Sequence, residues 1–373
     1  MRWTCASAIA PASAALLLLR ALPQVEAAYS LQTAWQGENF FDGWDFWGNR
    51  DNLTNGAVYY VGGNEAARRS VAYTNEAGNV ILKADNTSTL AVGGLRNSVR
   101  ITTQDTYDIG SLFVMDAYHV PFGCAVWPAF WTHARSWPSG GEQDIFEGVN
   151  LDYRNQAALH TVVGCTVANT TTNVTQSGTL TYDNCDYSVA ANHGCTYQDS
   201  RNESYGQPFA DAGGGMYVAE TSSDAISMWF FPVRPLSKPD PRSLQGEADW
   251  SCSRTTASEH SGRPACRVTI NIALCGDWAG QPGVFSPSCG TGSCANYVLD
   301  PSNFDDAYFE IASVRVYEGG LNTRGLASSA SGVIGGIGGT QSAKSGARTQ
   351  SSAGLMPVFF AALAGTAIFL SML

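Results

Sequence analysis

Ten short runs of apolar or alternating residues, four to ten residues long, punctuate the middle of this chain. They lie at Ala57–Val61, Ser70–Tyr73, Val80–Lys83, Ser98–Thr102, Leu112–His119, Ala157–Val163, Met216–Glu220, Ala225–Phe231, Val268–Ala273 and Tyr308–Tyr317. β-Branched and aromatic side chains dominate them, and their lengths are those of strands. No sustained 3.6-residue periodicity accompanies them, which excludes a framework of long amphipathic helices. Many short strands joined by turns stack as two antiparallel sheets, in a sandwich or a jelly roll. The stretch from Cys165 to Gly215 is polar and rich in Asn, Thr and Gly. It is expected to form long loops held by Cys165, Cys185 and Cys195.

The 373 residues are 44% hydrophobic and 14% charged, enough apolar material for a large core, so wholesale disorder is excluded. Lys and Arg total 21 against 32 Asp and Glu, a net charge of -11, which argues against a nucleic-acid partner. A weakly charged, acidic surface suits a neutral, hydroxyl-rich substrate.

Both ends carry processing signals. Residues 1–27 read as a signal peptide, with small residues at Val25-Glu26-Ala27 and cleavage before Ala28. Residues 28–318 are left as one folded domain. Residues 319–354 contain 17 Gly or Ser in 36 positions and no Cys, Trp, Tyr or Phe, so they read as a flexible linker. Residues 355–373 are uncharged and apolar. Small residues, a polar spacer and an apolar tail form the pattern of a glycosylphosphatidylinositol (GPI) attachment signal. Ser345, in the triplet Ser345-Gly346-Ala347, is the expected attachment residue, with Ser342 as a second candidate. The expected location is therefore the secretory pathway and then the cell surface, anchored to the plasma membrane or wall.

Ten cysteines agree with secretion. Cys5 leaves with the signal peptide, and the nine others, an odd number, are expected to be mostly disulfide-bonded with one thiol over. Glycosylation sequons stand at Asn52, Asn86, Asn169, Asn173 and Asn202.

The segment with the clearest chemistry is Gly140-Gly141-Glu142-Gln143-Asp144-Ile145-Phe146-Glu147-Gly148-Val149-Asn150. In a regular strand Glu142 and Asp144 share a face and Glu147 points the other way. One extra residue, a β-bulge, returns Glu147 to the face of the other two. Three converging acids repel, so at least one holds or shares a proton near neutral pH. An acid/base and nucleophile pair needs that arrangement. The Asp, Asn and Gly alternation of a calcium loop is missing, and no metal or cofactor is expected.

Glu-X-Asp-X-X-Glu followed by Gly-Val-Asn resembles the active-site strand of glycoside hydrolase family 16, in its laminarinase-like branch. The resemblance extends to 96–101, 123–131, 158–161, 229–232, 275–280 and 311–317, in order. It points toward the secreted fungal endo-1,3(4)-β-glucanases of that family. It implies an all-β, concanavalin-like jelly roll of two antiparallel sheets with a concave sugar-binding cleft, acting with retention of configuration. By that resemblance Glu142 is the nucleophile, Glu147 the general acid/base, and Asp144 the group that holds the nucleophile's protonation state. His160 lies near the nucleophile. Trp131, Trp137 and Trp278 offer ring faces and indole N–H groups to the sugar, and Arg100 donates to sugar hydroxyls. Trp127, beside Pro128, is assigned to the core. Cys266 is additional to the usual eight cysteines, either unpaired or bonded to Cys252. The expected partner is a β-glucan polysaccharide bound by a monomer. Hydrolysis of 1,3- or mixed 1,3/1,4-β-glucan is the leading reading. Transglycosylation is the second, and a non-catalytic glucan-binding module is disfavoured by the retained carboxylates.

Overall fold

The computed structural model describes residues 29–319, apart from 63–67, 69, 168–175, 223–224, 233–247 and 251–264. The signal peptide, the linker beyond Gly319, the apolar tail, Asn169, Asn173, Cys252, Ser342 and Ser345 lie outside the described residues.

Eighteen strands occur among the described residues. They are β1 (Ser30–Trp35), β2 (Trp44–Phe46), β3 (Val58–Tyr60), β4 (Ala72–Thr74), β5 (Val80–Lys83), β6 (Arg96–Ser98), β7 (Arg100–Thr103), β8 (Ser111–His119) and β9 (Val126–Ala134). The rest are β10 (Glu142–Glu147), β11 (Gln156–His160), β12 (Thr179–Tyr182), β13 (Cys195–Gln198), β14 (Gly215–Thr221), β15 (Ile226–Pro232), β16 (Ala248–Trp250), β17 (Cys266–Leu274) and β18 (Tyr308–Glu318). One eight-stranded sheet runs β16-β15-β14-β8-β18-β5-β4, with β1 also on β18. The other runs β12-β13-β11-β10-β9-β17-β7-β2. Every pairing in the two sheets is antiparallel; β3 and β6 form a separate parallel pair.

The sandwich follows from alternation. In β10 and β9 the buried Phe146 and Phe130 face inward, in one core cluster with Phe113, Met115, Tyr217 and Phe309 of the first sheet. The Phe146 ring lies 4.7 Å from Tyr217 and 5.8 Å from Phe309, so the strand that carries the acids is anchored across the core. Fully burying side chains of this size stabilises by about 1.5–3 kcal/mol each.

The polar stretch Cys165–Gly215 departs from the expectation of loops alone. It contains β12, β13 and the helix Gly206–Asp211. The side chains of β12 are mostly exposed, as befits an edge strand, so no buried stripe marked it in the sequence. The disulfides Cys185–Cys195, Cys124–Cys289 and Cys275–Cys294 tie loops to the sheets, and Cys165 is disulfide-bonded as well. Among the described residues Cys266 carries a free thiol, and burial pushes its pKa up to about 11.

Candidate active site

β10 lies in the middle of the second sheet, between β9 and β11. Its pairing with β9 sets Glu142 opposite His133, Asp144 opposite Trp131 and Glu147 opposite Ala129. Ala129, Trp131 and His133 alternate along one strand and therefore share a face. Glu142, Asp144 and Glu147 must share it too. The odd separation from 142 to 147 is absorbed at the register shift between Asp144 and Phe146, where Ile145 is the extra residue. Ile145 and Phe146 are both buried in the core, so the bulge is held by apolar packing on the inner side.

Further residues complete this face. His160 stands opposite Glu142 on β11. Its Nε2 lies 3.2 Å from Asp144 Oδ2, and its Nδ1–H donates to Asn192 Oδ1 at 2.9 Å. That bond fixes the imidazole's orientation and aims Nε2 at the carboxyl. Gly194 makes the approach possible: a Cβ there would sit 2.7 Å from His160 Cε1, and its φ of +68° suits glycine. Trp137 donates to the Glu142 carboxyl, and Trp127 Nε1–H donates to Glu147 Oε1 at 2.8 Å. Gly148 follows directly, and its missing Cβ leaves room for the Tyr205 ring, which a methyl would meet at 2.7 Å.

All three carboxyls are pushed up to about 8, with burial as the first cause in each. For Glu142 the Asp144 charge adds to burial, while His160 and the Trp137 hydrogen bond oppose it. For Glu147 the Asp144 charge again adds, opposed by the Trp127 hydrogen bond and by His160. Three acids on one half-buried face cannot all ionise, so they titrate as a set. Glu142, Asp144 and His160 also place one donor atom each within 4.8 Å of one another, a set able to chelate a cation.

The other expected residues divide. Trp278, in the short helix Gly276–Ala279, meets Trp127 edge to face at 5.6 Å, and Trp137 is 42% exposed beside Tyr187. Trp131 stands beside Asp144 on the acid face at 9% exposure, and its N–H is committed to Asn271 Oδ1 at 2.7 Å rather than free for a sugar hydroxyl. Arg100 is buried between Trp47 and Tyr60 and donates through Nη2 to Asn52 Oδ1 at 2.8 Å; its Nη1 lies 3.7 Å from Asp51. The guanidinium is thus largely committed to the protein. Asn52 and Asn202 are exposed, whereas the Asn86 amide donates to Asp305 at 2.8 Å. The assignment of Trp127 to the core is corrected: it is half-buried on the acid face. It shares parity with Trp131 along β9, a signal that the adjacent Pro128 obscured. Asn155, Asn192 and Asn271 were not anticipated, because what each bonds depends on chain brought from elsewhere.

Residues 44–317, well over half of the chain, match the family model described as the XgeA-like catalytic GH16 domain. The chain belongs to glycoside hydrolase family 16. A probable endo-1,3(4)-β-glucanase of Neosartorya fischeri is 37% identical over 313 residues, covering 79% of this chain and 46% of the relative. This family 16 chain thus spans less than half the length of that relative. Laminarinase 16A from Phanerochaete chrysosporium, solved with two β-glucans in donor and acceptor sites, is 36% identical with a TM-score of 0.70. That alignment covers 78% of this chain and 99% of the laminarinase. An elongating family 16 β-1,3-glucosyltransferase is 32% identical with a TM-score of 0.69, over 78% of this chain and 99% of that one.

Proposed function

We propose that this chain is a retaining endo-β-glucanase acting on 1,3- or mixed 1,3/1,4-linked β-glucan. The observation that carries the reading is the bulge at Ile145, which puts Glu142, Asp144 and Glu147 on one face. Glu142 is the nucleophile. It stands opposite His160 on β11, and His160 and the Trp137 hydrogen bond both oppose the rise of its pKa. Glu147 is the acid/base. Burial and the Asp144 charge hold its proton, and Trp127 orients its Oε1. Asp144 lies against His160, and the pair can pass a proton between them as Glu142 gains and loses charge. In the first step Glu142 attacks the anomeric carbon while Glu147 protonates the departing oxygen. In the second, Glu147 takes a proton from water, which displaces Glu142. Trp137 and Trp278 supply ring faces to the sugars beside the bond that breaks.

Transglycosylation is the second reading, favoured by the glucosyltransferase of similar fold. Purified protein incubated with laminari-oligosaccharides is expected to give shorter products. Longer products would move the assignment to transfer, and unchanged substrate would overturn an enzymatic role.

Secretion, glycans on Asn52 and Asn202 and a GPI anchor near Ser345 form the proposed setting, with the enzyme at the cell surface as a monomer. The uncharged apolar run 355–373 after a Gly/Ser-rich spacer supports the anchor. Phosphatidylinositol-specific phospholipase C is expected to release the activity from washed membranes. A mature protein still carrying a peptide with Phe359 and Phe360 would refute it.

A further inference from the structure

The bulge that brings Glu147 to the acid face leaves backbone groups without ladder partners. β10 pairs with β11 at Asp144–Ala158 and next at Glu147–Gln156, so two residues of β10, Ile145 and Phe146, lie opposite the single Ala157 of β11. Ile145 and Phe146 have no partner on that side. An unpaired buried N–H or C=O costs about 1–3 kcal/mol. A side chain fills the gap. Asn155, immediately before β11 and 6% exposed, donates through Nδ2 to the Ile145 carbonyl at 3.0 Å. Its Oδ1 accepts from the Glu147 N–H at 2.9 Å.

Asn155 is itself anchored. Its N–H donates to Ser204 Oγ at 2.9 Å, and the Ser204 hydroxyl donates to the Arg201 carbonyl at 2.8 Å. Its carbonyl accepts from the Asp199 N–H at 2.9 Å. The amide is also the chemistry the gap requires. One donor and one acceptor must leave a single short side chain, which an amide provides and an ionised carboxylate or a methyl does not. Without the clamp the strand can slip by one residue, and a one-residue slip turns a side chain to the other face of the sheet.

We propose that Asn155 is a positioning residue for Glu147: its amide replaces the missing ladder partners of the bulge and so fixes the acid/base carboxyl on the catalytic face. The inference rests on Glu147 being the acid/base. It makes a prediction that loss of general stability would not. Displacing the acid matters when the leaving sugar needs a proton and matters little when it does not.

The test compares wild type, Asn155→Ala, Asn155→Asp and Glu147→Gln on a laminari-oligosaccharide and on 2,4-dinitrophenyl β-laminaribioside. Glu147→Gln sets the reference, with activity largely kept on the dinitrophenyl substrate in its first step. Asn155→Ala is expected to lower kcat/KM on the oligosaccharide roughly 100-fold, the scale of a misplaced group, and on the dinitrophenyl glycoside less than about tenfold. Asn155→Asp is expected to regain oligosaccharide activity toward acidic pH, relative to wild type, as its carboxyl takes up a proton and recovers a donor. That arm decides the matter if Asn155→Ala does not fold. Equal losses on the two substrates, or an Asn155→Asp pH profile parallel to wild type, would overturn the clamp. If Glu147→Gln itself loses both substrates equally, the acid/base reading of Glu147 falls and the inference falls with it.

Discussion

Glu142→Gln is expected to stop turnover of every substrate, by on the order of 10⁴-fold or more, because no covalent intermediate can form. Glu147→Gln is expected to behave differently. It loses about 10²–10⁴-fold on glucan polymer, the contribution of a general acid. It keeps the first step on aryl glycosides whose leaving group needs no proton. Azide should then accelerate this variant and emerge as a β-glycosyl azide, because it attacks the glycosyl-enzyme from the face that water would use. With Glu142→Gln, azide replaces the missing carboxylate on its own face and gives the α-product. The basis is the shared face of the two glutamates across the bulge and a separate indole donor on each, Trp137 to Glu142 and Trp127 to Glu147. An α-azide from Glu147→Gln would reverse the assignment. Near-normal hydrolysis of glucan by either variant would remove the mechanism.

The same two substitutions are expected to stabilise the fold, and only at neutral to alkaline pH. Glu142 and Glu147 are raised from an ordinary 4.5 to about 8, chiefly by burial and then by the Asp144 charge. The unfolded chain releases these protons near the ordinary value, and the folded chain keeps them to about 8. Across that window the folded state binds more protons, so stability falls as pH rises. Glutamine does not titrate and removes the penalty. Both carboxyls are partly open to solvent, so the gain is discounted for screening to about 1–2 kcal/mol at pH 8. That is roughly 2–8 °C in Tm for a domain of this size. Calorimetry near pH 4 and near pH 8 measures it. Variants that melt with wild type at both pH values would show that the three acids are not mutually strained.

The sequence carried much of this. Val80–Lys83 is a strand with the bounds its side chains suggest, and Tyr308–Tyr317 differs from β18 by one residue. Past β11 the run of apolar residues continues to Val163, yet the strand stops at His160. Beyond it the chain turns out to solvent, where Val163 is 74% exposed, and hydrophobicity alone does not reveal that turn. β9, with Trp127 and Trp131, was legible as a motif before it was legible as a strand. β1 and β2 escape the pattern for different reasons: β1 exposes most of its side chains, and β2, with Trp44 buried and Asp45 exposed, has only three residues in which to alternate.

Local covalent order decided the chemistry of the site and the need for a bulge. Side chains alternate with period two, so an odd spacing from Glu142 to Glu147 forces an extra residue if the acids are to meet. Tertiary structure decided what holds that extra residue and what each acid touches. Asn155 clamps Ile145 and Glu147, Asn192 orients His160 from 32 residues away, and Asn271 takes the Trp131 N–H from 140 residues away. Asn52 and Asp51 hold the guanidinium of Arg100, a residue equally suited by type to a sugar hydroxyl. Strand period and charge are properties of neighbouring residues, and a sequence displays neighbours. Hydrogen bonds between distant segments follow from which strands become neighbours in the sheet and where the loops between them run, which the order of residues does not display.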